Sequence, residues 1–430
     1  MAESRQTDSL DLSVNRLRGI QIFGSWRRVL VQQGRTRSFF SSGLAVAMAL
    51  VVPVGAAAGD SSLTRDQSVL AAYRAEIAQL RSVGRPSFKR SGPAFFLFGM
   101  GSRQKFVYRR GELVEWPSGR VLRQWDAKTE MIVPPSYSVW LTTAHSTIHI
   151  FEDESGIYLE ENGSKTTLTA SRVHLPAFSG ERYPNILRVL HQEILVNIAD
   201  GKPLPNFLVY SKPWYRDAAM ASMVLRRTGN IGLIRDWILA LRDPFDHNNA
   251  GRSEPDNLGE ALYLISCVSD RTHPLVASVL QAVDPFKRNG YIIGVTDGAE
   301  HPVFQTKWLK FGLRSLGISD TAFVVPSLED SYASLFWWAL KDGQIGTEFS
   351  ADAAQKYPYL AWARDHLSGG HTGPVTAGDY PLTWEADASE ADYKGMSLVA
   401  SDLAKARLAA PHAWHAAEMF LALASDKAAF

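Results

Sequence analysis

The amino-acid sequence predicts a mainly α-helical protein, an (α/α)6-type toroid that follows a small antiparallel β domain. Helical periodicity dominates from Tyr183 onward, and aromatic-rich polar loops join the helical segments, as expected for helical hairpins closed into a ring. Between 95 and 178, short runs rich in β-branched and aromatic residues alternate with turn residues, which predicts strands. Hydrophobic residues make up 46% of the 430 residues, a globular composition that can bury a large core.

Charge and cysteine content exclude several function classes. Lys and Arg number 45 against 44 Asp and Glu, so the formal net charge is +1 and no basic face for nucleic acid is indicated. The single cysteine, Cys267, excludes intramolecular disulfides and thiolate zinc clusters. The sequence contains no HExxH, GxGxxG, Walker A or GxSxG motif. We therefore predict neither a metal nor a cofactor.

Residues 1–58 have the features of a secretory leader. Seven arginines and three acids lie within 1–38, an apolar run of 13 residues spans 43–55, and three alanines at 56–58 form a small-residue cleavage pattern. We predict export, with the protein periplasmic or secreted. Residues 39–58 also form a 20-residue stretch, so an uncleaved anchor in the inner membrane, with its basic side in the cytoplasm, is one alternative. A buried apolar helix is the other.

Residues 59–92 are predicted to form a helix and a linker. Apolar residues recur at spacings of three and four over 64–82, and the Gly-Arg-Pro sequence at 84–86 ends that helix. Residues 93–180 are predicted to form the small β domain, with six to eight antiparallel strands. Asn162-Gly163, between two strand-like runs, is a typical hairpin signal.

Residues 181–430 are predicted to form the toroidal catalytic domain. The apolar periodicity indicates about ten helices, over 184–199, 216–228, 231–241, 256–268, 274–283, 303–316, 328–341, 352–368, 388–406 and 411–425. No repeat of fixed period is visible, which argues against the common solenoid classes.

The first candidate site lies at the predicted start of a helix. Trp214 and Tyr215 carry aromatic faces suited to stacking on sugar rings, and Arg216 and Asp217 can bind sugar hydroxyls in forked geometry. The alternative is structural, because negative charge is favoured at a helix start and Asp217 would then only stabilise the helix.

The loop at 243–260 supplies the second candidate site. It is dense in acids and amides, and its alternation with Gly and Pro favours a shaped loop over a merely solvated one. Asp256 is expected to open the next helix, which leaves Asn249 and Glu254 outside it. Glu254 is therefore predicted to project into a cleft.

A third candidate lies near the C-terminus. Glu385 follows Trp384 at the end of an apolar segment, where burial would raise the pKa of the carboxyl, as a general acid requires. A surface or helix-capping acid is the alternative. His412 and His415 open the final helix with i, i+3 spacing, and no metal signature accompanies them, so no metal is assigned. We predict that they contact substrate; a role in the core or in helix capping is the alternative.

The segment 214–220, Trp-Tyr-Arg-Asp-Ala-Ala-Met, is followed by a hydrophobic helix and Gly229. It resembles the first signature of the glucoamylase-like six-hairpin glycosidases, in which an aromatic-x-Arg-Asp-Ala-Ala element lines the innermost sugar subsite. The loop 249–260 and the helix opening at 411–418 are similar to later elements of that superfamily, and Trp384-Glu385 is the nearest match to its catalytic Trp-Glu context. The resemblance covers about 184–425 and implies a carbohydrate-active fold.

We therefore predict an exported enzyme that hydrolyses a poly- or oligosaccharide. Glu385 and Glu254 are the predicted carboxyl pair, with Asp256 in reserve; one carboxyl protonates the leaving oxygen and the other activates water or attacks the sugar. The predicted sugar contacts are Trp214, Tyr215, Arg216, Asp217, Asn249, Trp384, His412 and His415. Two alternatives stay open. One is a non-catalytic saccharide-binding or polysaccharide-assembly component, and the other is a toroidal polysaccharide lyase that uses residues among Tyr332, Tyr380, His412 and His415.

Overall fold

Helix α1, Gly59–Val83, is the first element of the described chain. The computed structural model describes residues 59–83, 85–88, 95–328, 330, 332, 374–376 and 378–424. Leu70, Tyr73, Ile77 and Leu80 follow the spacing of a helix face and are all buried, so this face of α1 packs against the core. The leader predicted at 1–58 lies outside the described residues. Within the described ranges, no helix is long and apolar enough to cross a membrane.

A four-stranded antiparallel sheet follows the short strand β1, Arg85–Phe88. Its strands, in spatial order, are β2 (Phe96–Phe98), β3 (Lys105–Arg109), β4 (Glu112–Trp116) and β5 (Val121–Gln124). Arg110 and Gly111 join β3 to β4, and both have positive φ. Two-residue hairpin loops need this conformation, because it matches the twist of the flanking strands.

A five-stranded antiparallel meander lies next along the chain. Its strands are β6 (Thr129–Val133), β7 (Ser138–Thr142), β8 (Thr147–Glu152), β9 (Gly156–Glu161) and β10 (Ser164–Ala170). Alternate residues such as Val139, Ile148 and Ile150 are buried in the core shared with the helices. Asn162 and Gly163 both have positive φ and form the hairpin turn between β9 and β10. The two sheets thus hold nine strands, against the six to eight predicted.

Helices dominate the C-terminal half. They are α2 (Pro184–Leu195), α3 (Tyr215–Arg227), α4 (Arg235–Ala240), α5 (Asp256–Ser266), α6 (Pro274–Ala282), α7 (Pro302–Ser315), α8 (Lys394–Val399), α9 (Ser401–Lys405) and α10 (Ala413–Leu423). The main helix contacts join α2 with α10, α10 with α3, α3 with α5 and α5 with α7. Helices α5 and α7 approach closely at Gly259, where a Cβ atom would lie 2.1 Å from the backbone of Trp308.

Short two-stranded pairs interrupt the helices. They are β11 (Ile198–Ala199) with β12 (Lys202–Pro203), β13 (Lys287–Arg288) with β14 (Tyr291–Ile292), and β15 (Val295–Thr296) with β16 (Ala299–Glu300). Strand β17 (Pro374–Thr376) pairs in parallel with β1, and β18 (Glu385–Ala386) pairs with β19 (Leu408–Ala409). The last pair brings Glu385 close to the residues that lead into α10.

The predicted mainly α toroid is wrong. The described residues are 39% helix and 20% strand, and their helices do not form a clear toroid. The helix predicted over 231–241 is a 3-10 turn, Ile231–Ile234, followed by the six-residue α4, and the one predicted over 388–406 divides into α8 and α9. The β pairs between these segments could not be predicted from periodicity, because a strand of two residues is too short to show one. The helices predicted over 328–341 and 352–368 lie outside the described residues, apart from residues 328, 330 and 332.

Candidate active site

The start of α3 carries three of the predicted site residues. Tyr215, Arg216 and Asp217 form its first turn, and Trp214 immediately before it provides no side-chain cap. Instead, the backbone N–H of Tyr215 donates to Asp246 Oδ2 at 2.7 Å. A carboxylate from the loop before α5 therefore satisfies the helix start, where N–H groups lack partners within the helix. This leaves the side chains of Arg216 and Asp217 to contact neighbouring elements.

Arg216 is the centre of a buried cluster of acids. Its Nε donates to Asp256 Oδ2 at 2.8 Å, its Nη2 to Glu254 Oε2 at 3.1 Å and its Nη1 to Asp297 Oδ2 at 2.5 Å. Glu260 Oε1 lies 4.0 Å from Nε. Burial opposes the charge on the guanidinium, but the surrounding carboxylates outweigh it and hold the pKa of Arg216 above its usual value. The cluster fixes the first turn of α3 to the start of α5.

Both oxygens of Glu254 are engaged. Oε1 accepts hydrogen bonds from Asn249 Nδ2 at 2.9 Å and from the backbone N–H of Asp297 at 2.8 Å, while Oε2 accepts from Arg216. The residue is only 1% exposed. Burial raises the pKa of Glu254 to about 7, with Arg216 opposing that shift. The residue is thus held on every side by protein groups.

Asp256 is engaged in the same way. It is fully buried at the first residue of α5, where its Oδ1 accepts from Thr296 Oγ1 at 2.8 Å and its Oδ2 accepts from Arg216. The contacts of Glu254 and Asp256 are those of groups that anchor Arg216. Their catalytic role stays a prediction.

Glu385 lies in a second cluster, with Tyr210 and His412. Tyr210 Oη donates to Glu385 Oε2 at 2.9 Å, and His412 Nε2 lies 2.8 Å from the same oxygen. The Glu385 side chain is 31% exposed, so solvent reaches it. Burial opposes its ionisation, but His412 outweighs burial by charge and hydrogen bonding, and the pKa of Glu385 falls to about 2. The raised pKa predicted from the sequence is therefore wrong, because the sequence could not place His412 beside this carboxyl.

Asp217 faces the same imidazole from α3. Its Oδ1 lies 3.6 Å from His412 Nε2 and has no hydrogen-bond partner in the part of the chain that the structure describes. Burial raises the pKa of Asp217 to about 7; His412 opposes the shift and Glu385 adds to it. Burial also disfavours the charged form of His412, but Glu385 and then Asp217 outweigh it and raise the pKa of the imidazole above its usual value.

Of the other predicted sugar contacts, Trp214 and His415 lie beside the cluster of Glu385 and His412, and Tyr215 does not. Trp214 is buried against Tyr210, with ring centroids 5.7 Å apart, and the His415 ring lies 5.0 Å from that of His412. Tyr215 Oη instead donates to the backbone carbonyl of Asp243, and its ring contacts Trp237. Tyr215 is therefore directed away from Glu385.

The structure brings the predicted residues together as two clusters that meet at the start of α3. Arg216, Glu254, Asp256 and Asn249 form one of them, and Asp217, Glu385 and His412 form the other. Sequence reasoning missed Tyr210, Asp297 and Trp414, whose ring lies 5.6 Å from the guanidinium of Arg216. Asp297-Gly298 is a hairpin signal that could have placed Asp297 in a turn. Nothing local indicates that this turn reaches Arg216.

Within the described ranges, no group of three or more His, Cys, Asp and Glu side chains is arranged to hold a metal ion. Comparisons with protein-family models, with curated proteins and with solved structures find no match for this chain. The geometry of the two clusters is therefore the basis for a functional argument.

Proposed function

We propose that this protein is an exported glycoside hydrolase that cleaves a poly- or oligosaccharide with the carboxyl pair Asp217 and Glu385. The observation that carries the proposal is the placement of the two carboxyls beside one imidazole, with His412 Nε2 3.6 Å from Asp217 Oδ1 and 2.8 Å from Glu385 Oε2. Burial raises the pKa of Asp217 to about 7, whereas His412 lowers that of Glu385 to about 2. A pair of carboxyls driven apart in this way can divide into a proton donor and an ionised partner. The leader features at 1–58 support export.

The two carboxyls take different roles in this scheme. Asp217, protonated below about pH 7, donates a proton to the leaving oxygen, and the ionised Glu385 attacks the sugar or activates water. His412 Nε2 lies 2.8 Å from Glu385 Oε2 and 3.6 Å from Asp217 Oδ1, so these two oxygens are less than about 6.5 Å apart. In inverting enzymes the two carboxyl groups are separated by at least about 6.5 Å. The shorter spacing of Asp217 and Glu385 favours direct attack by Glu385 and retention of the anomeric configuration.

Asp217 suits the donor role better than Glu254. Glu254 has both oxygens engaged by protein donors and belongs to the Arg216 cluster, whereas Asp217 Oδ1 has no hydrogen-bond partner among the described residues. Asp217 also shares His412 with Glu385. Asp217 is therefore less constrained by protein hydrogen bonds than Glu254, and both carboxyls are buried.

The described residues favour hydrolysis over the lyase alternative. Tyr380 is 1% exposed and packs on Phe95 and Phe96, so this candidate base lies in the core. Glu385 and Asp217 raise the pKa of His412, which favours the charged imidazole and makes it a weaker candidate base. Arg216, the cation nearest Asp217 in sequence, is engaged by acids and is not available to bind a uronate carboxylate.

The test is an assay of the purified full-length chain on a panel of neutral, acidic and amino polysaccharides. New reducing ends report cleavage by either route, and ultraviolet absorbance of an unsaturated non-reducing end reports elimination. Glu385→Gln should lower kcat by at least about 100-fold, because the amide is nearly isosteric but cannot act as base or nucleophile. Glu390→Gln is the matched control, since Glu390 is an exposed acid only five residues away.

Three outcomes would contradict the proposal. Unchanged turnover by Glu385→Gln would reject the carboxyl pair, and new ends that absorb in the ultraviolet would favour the lyase. Saccharide binding without any cleavage across the panel would favour the non-catalytic component.

A further inference from the structure

A buried carboxyl on α2 contacts the segment that leads to Glu385. Glu193 is fully buried, and its Oε1 accepts from the backbone N–H of Leu382 at 2.5 Å while its Oε2 accepts from Thr383 Oγ1 at 2.6 Å. Burial raises the pKa of Glu193 to about 8, and the hydrogen bonds from Thr383 and Leu382 oppose that shift. Among the described residues, its recognised contacts are hydrogen bonds from Leu382 and Thr383 and not an ion pair.

Thr383 connects Glu193 to His412. The backbone N–H of His412 donates to Thr383 Oγ1 at 3.1 Å, and the carbonyl oxygen of His412 lies 3.2 Å from the same hydroxyl. His412 is the N-cap residue of α10, so its N–H is not part of the helix ladder. The hydroxyl of Thr383 therefore fixes the backbone from which the imidazole projects.

The ring of His412 lacks the usual second anchor. A functional histidine is commonly oriented by a hydrogen bond from the nitrogen that does not face its partner. Here Nδ1 has no hydrogen-bond partner within the described residues, while Nε2 faces Glu385 and Asp217. The orientation of the imidazole thus depends on its backbone and on those two carboxyls.

We propose that Glu193 is a positioning residue, which through Thr383 holds His412 between Asp217 and Glu385. The inference rests on the proposed function only for its effect on activity. The placement of the imidazole itself can be tested without any substrate. Tyr73 and Tyr380 face Glu193, and His415 is a further titratable neighbour of His412.

The experiment is an NMR titration of the His412 ring in the full-length protein, assigned with a His412→Gln variant. Thr383→Val removes the hydroxyl with little change of shape, so the pKa of His412 should fall from its raised value toward the ordinary 6.5. Glu193→Ala should also lower the pKa of His412. Glu193→Gln should leave this pKa nearly unchanged, because the amide still accepts from Leu382 and can donate to Thr383 Oγ1.

Glu152→Gln is the control for destabilisation alone. Glu152 is also a buried acid, but it is held by Arg103 and the backbone of Gly99 and Met100 and has no contact with Thr383 among its recorded hydrogen bonds. This variant should lower the melting temperature and leave the titration of His412 unchanged. On a cleaved substrate, Thr383→Val should lower kcat by about 100-fold with little change in KM, the cost of a displacement of about 1 Å.

An unchanged His412 titration in both Thr383→Val and folded Glu193→Ala would overturn the positioning role. An equal shift in Glu152→Gln would also overturn it, because the effect would then be general loosening. If no polysaccharide is cleaved, the hydrolase proposal fails, but the titration still decides the role of Glu193.

Discussion

Arg216 and Asp217 are consecutive residues of one helical turn, yet their side chains join different clusters. Arg216 donates to Asp256 and Glu254, whereas Asp217 lies 3.6 Å from His412. Successive residues of an α-helix project about 100° apart, so a single helix start can face two clusters at once. The buried charges around Arg216 therefore fix the position of the proposed proton donor.

Replacement of Arg216 by Met should strongly destabilise the fold. It leaves the carboxyls of Asp256 and Glu254 buried without their counter-charge, and removal of one partner from a buried ion pair costs about 3–5 kcal/mol. Urea unfolding at pH 7 measures the change. Arg120→Met is the control, because Arg120 pairs with Glu115 on the surface and should hardly affect stability. Equal midpoints for the two variants would show that the Arg216 cluster is not a structural anchor.

The activity should have an acidic optimum. Asp217 must be protonated to donate, and its pKa of about 7 means that kcat/KM falls with rising pH above that value. Glu385 must be ionised, and its pKa of about 2 places the acidic limb of the profile far below the limb set by Asp217. The pH dependence of kcat/KM measures both limbs. Activity that increases from pH 6 to pH 9 would be incompatible with Asp217 as the acid.

Replacement of Gly259 by Ala should separate α5 from α7. The new Cβ would lie 2.1 Å from the carbonyl carbon of Trp308, so the helices must move apart at a cost of about 1–3 kcal/mol or more. Gly232→Ala is the matched control, since a Cβ there meets nothing within 4 Å. Thermal unfolding compares the two variants. A Gly259→Ala protein as stable as the control would show that the two helices do not pack this closely.

Local signals explain what the sequence could predict of the fold. The face of α1 has a helical spacing, and the turn at 162–163 consists of Asn and Gly, which accept positive φ. Asp256 was expected to open a helix, and it is the first residue of α5. In each case, a few neighbouring residues determine the conformation.

Long-range contacts explain what the sequence could not predict. The helix at 388–406 divides in two, and strands of two residues fall between helices, where periodicity gives no indication of them. The lowered pKa of Glu385 depends on His412, which the pairing of β18 with β19 brings alongside. Likewise, a hairpin that is distant in sequence brings Asp297 into contact with Arg216. Residue types indicated the candidates, but their partners required the three-dimensional structure.

The most direct measurement of the central claim compares Asp217→Asn and Glu385→Gln on two substrates with different leaving groups. The phenolate of an activated aryl glycoside leaves without protonation, whereas a sugar leaving group must be protonated by an acid. We expect Asp217→Asn to lose about 10²- to 10⁴-fold in kcat/KM on the natural linkage and far less on the aryl glycoside, while Glu385→Gln loses heavily on both. Equal losses by Asp217→Asn on the two substrates, or near-normal turnover by Glu385→Gln, would contradict the assignment of Asp217 as proton donor and Glu385 as nucleophile.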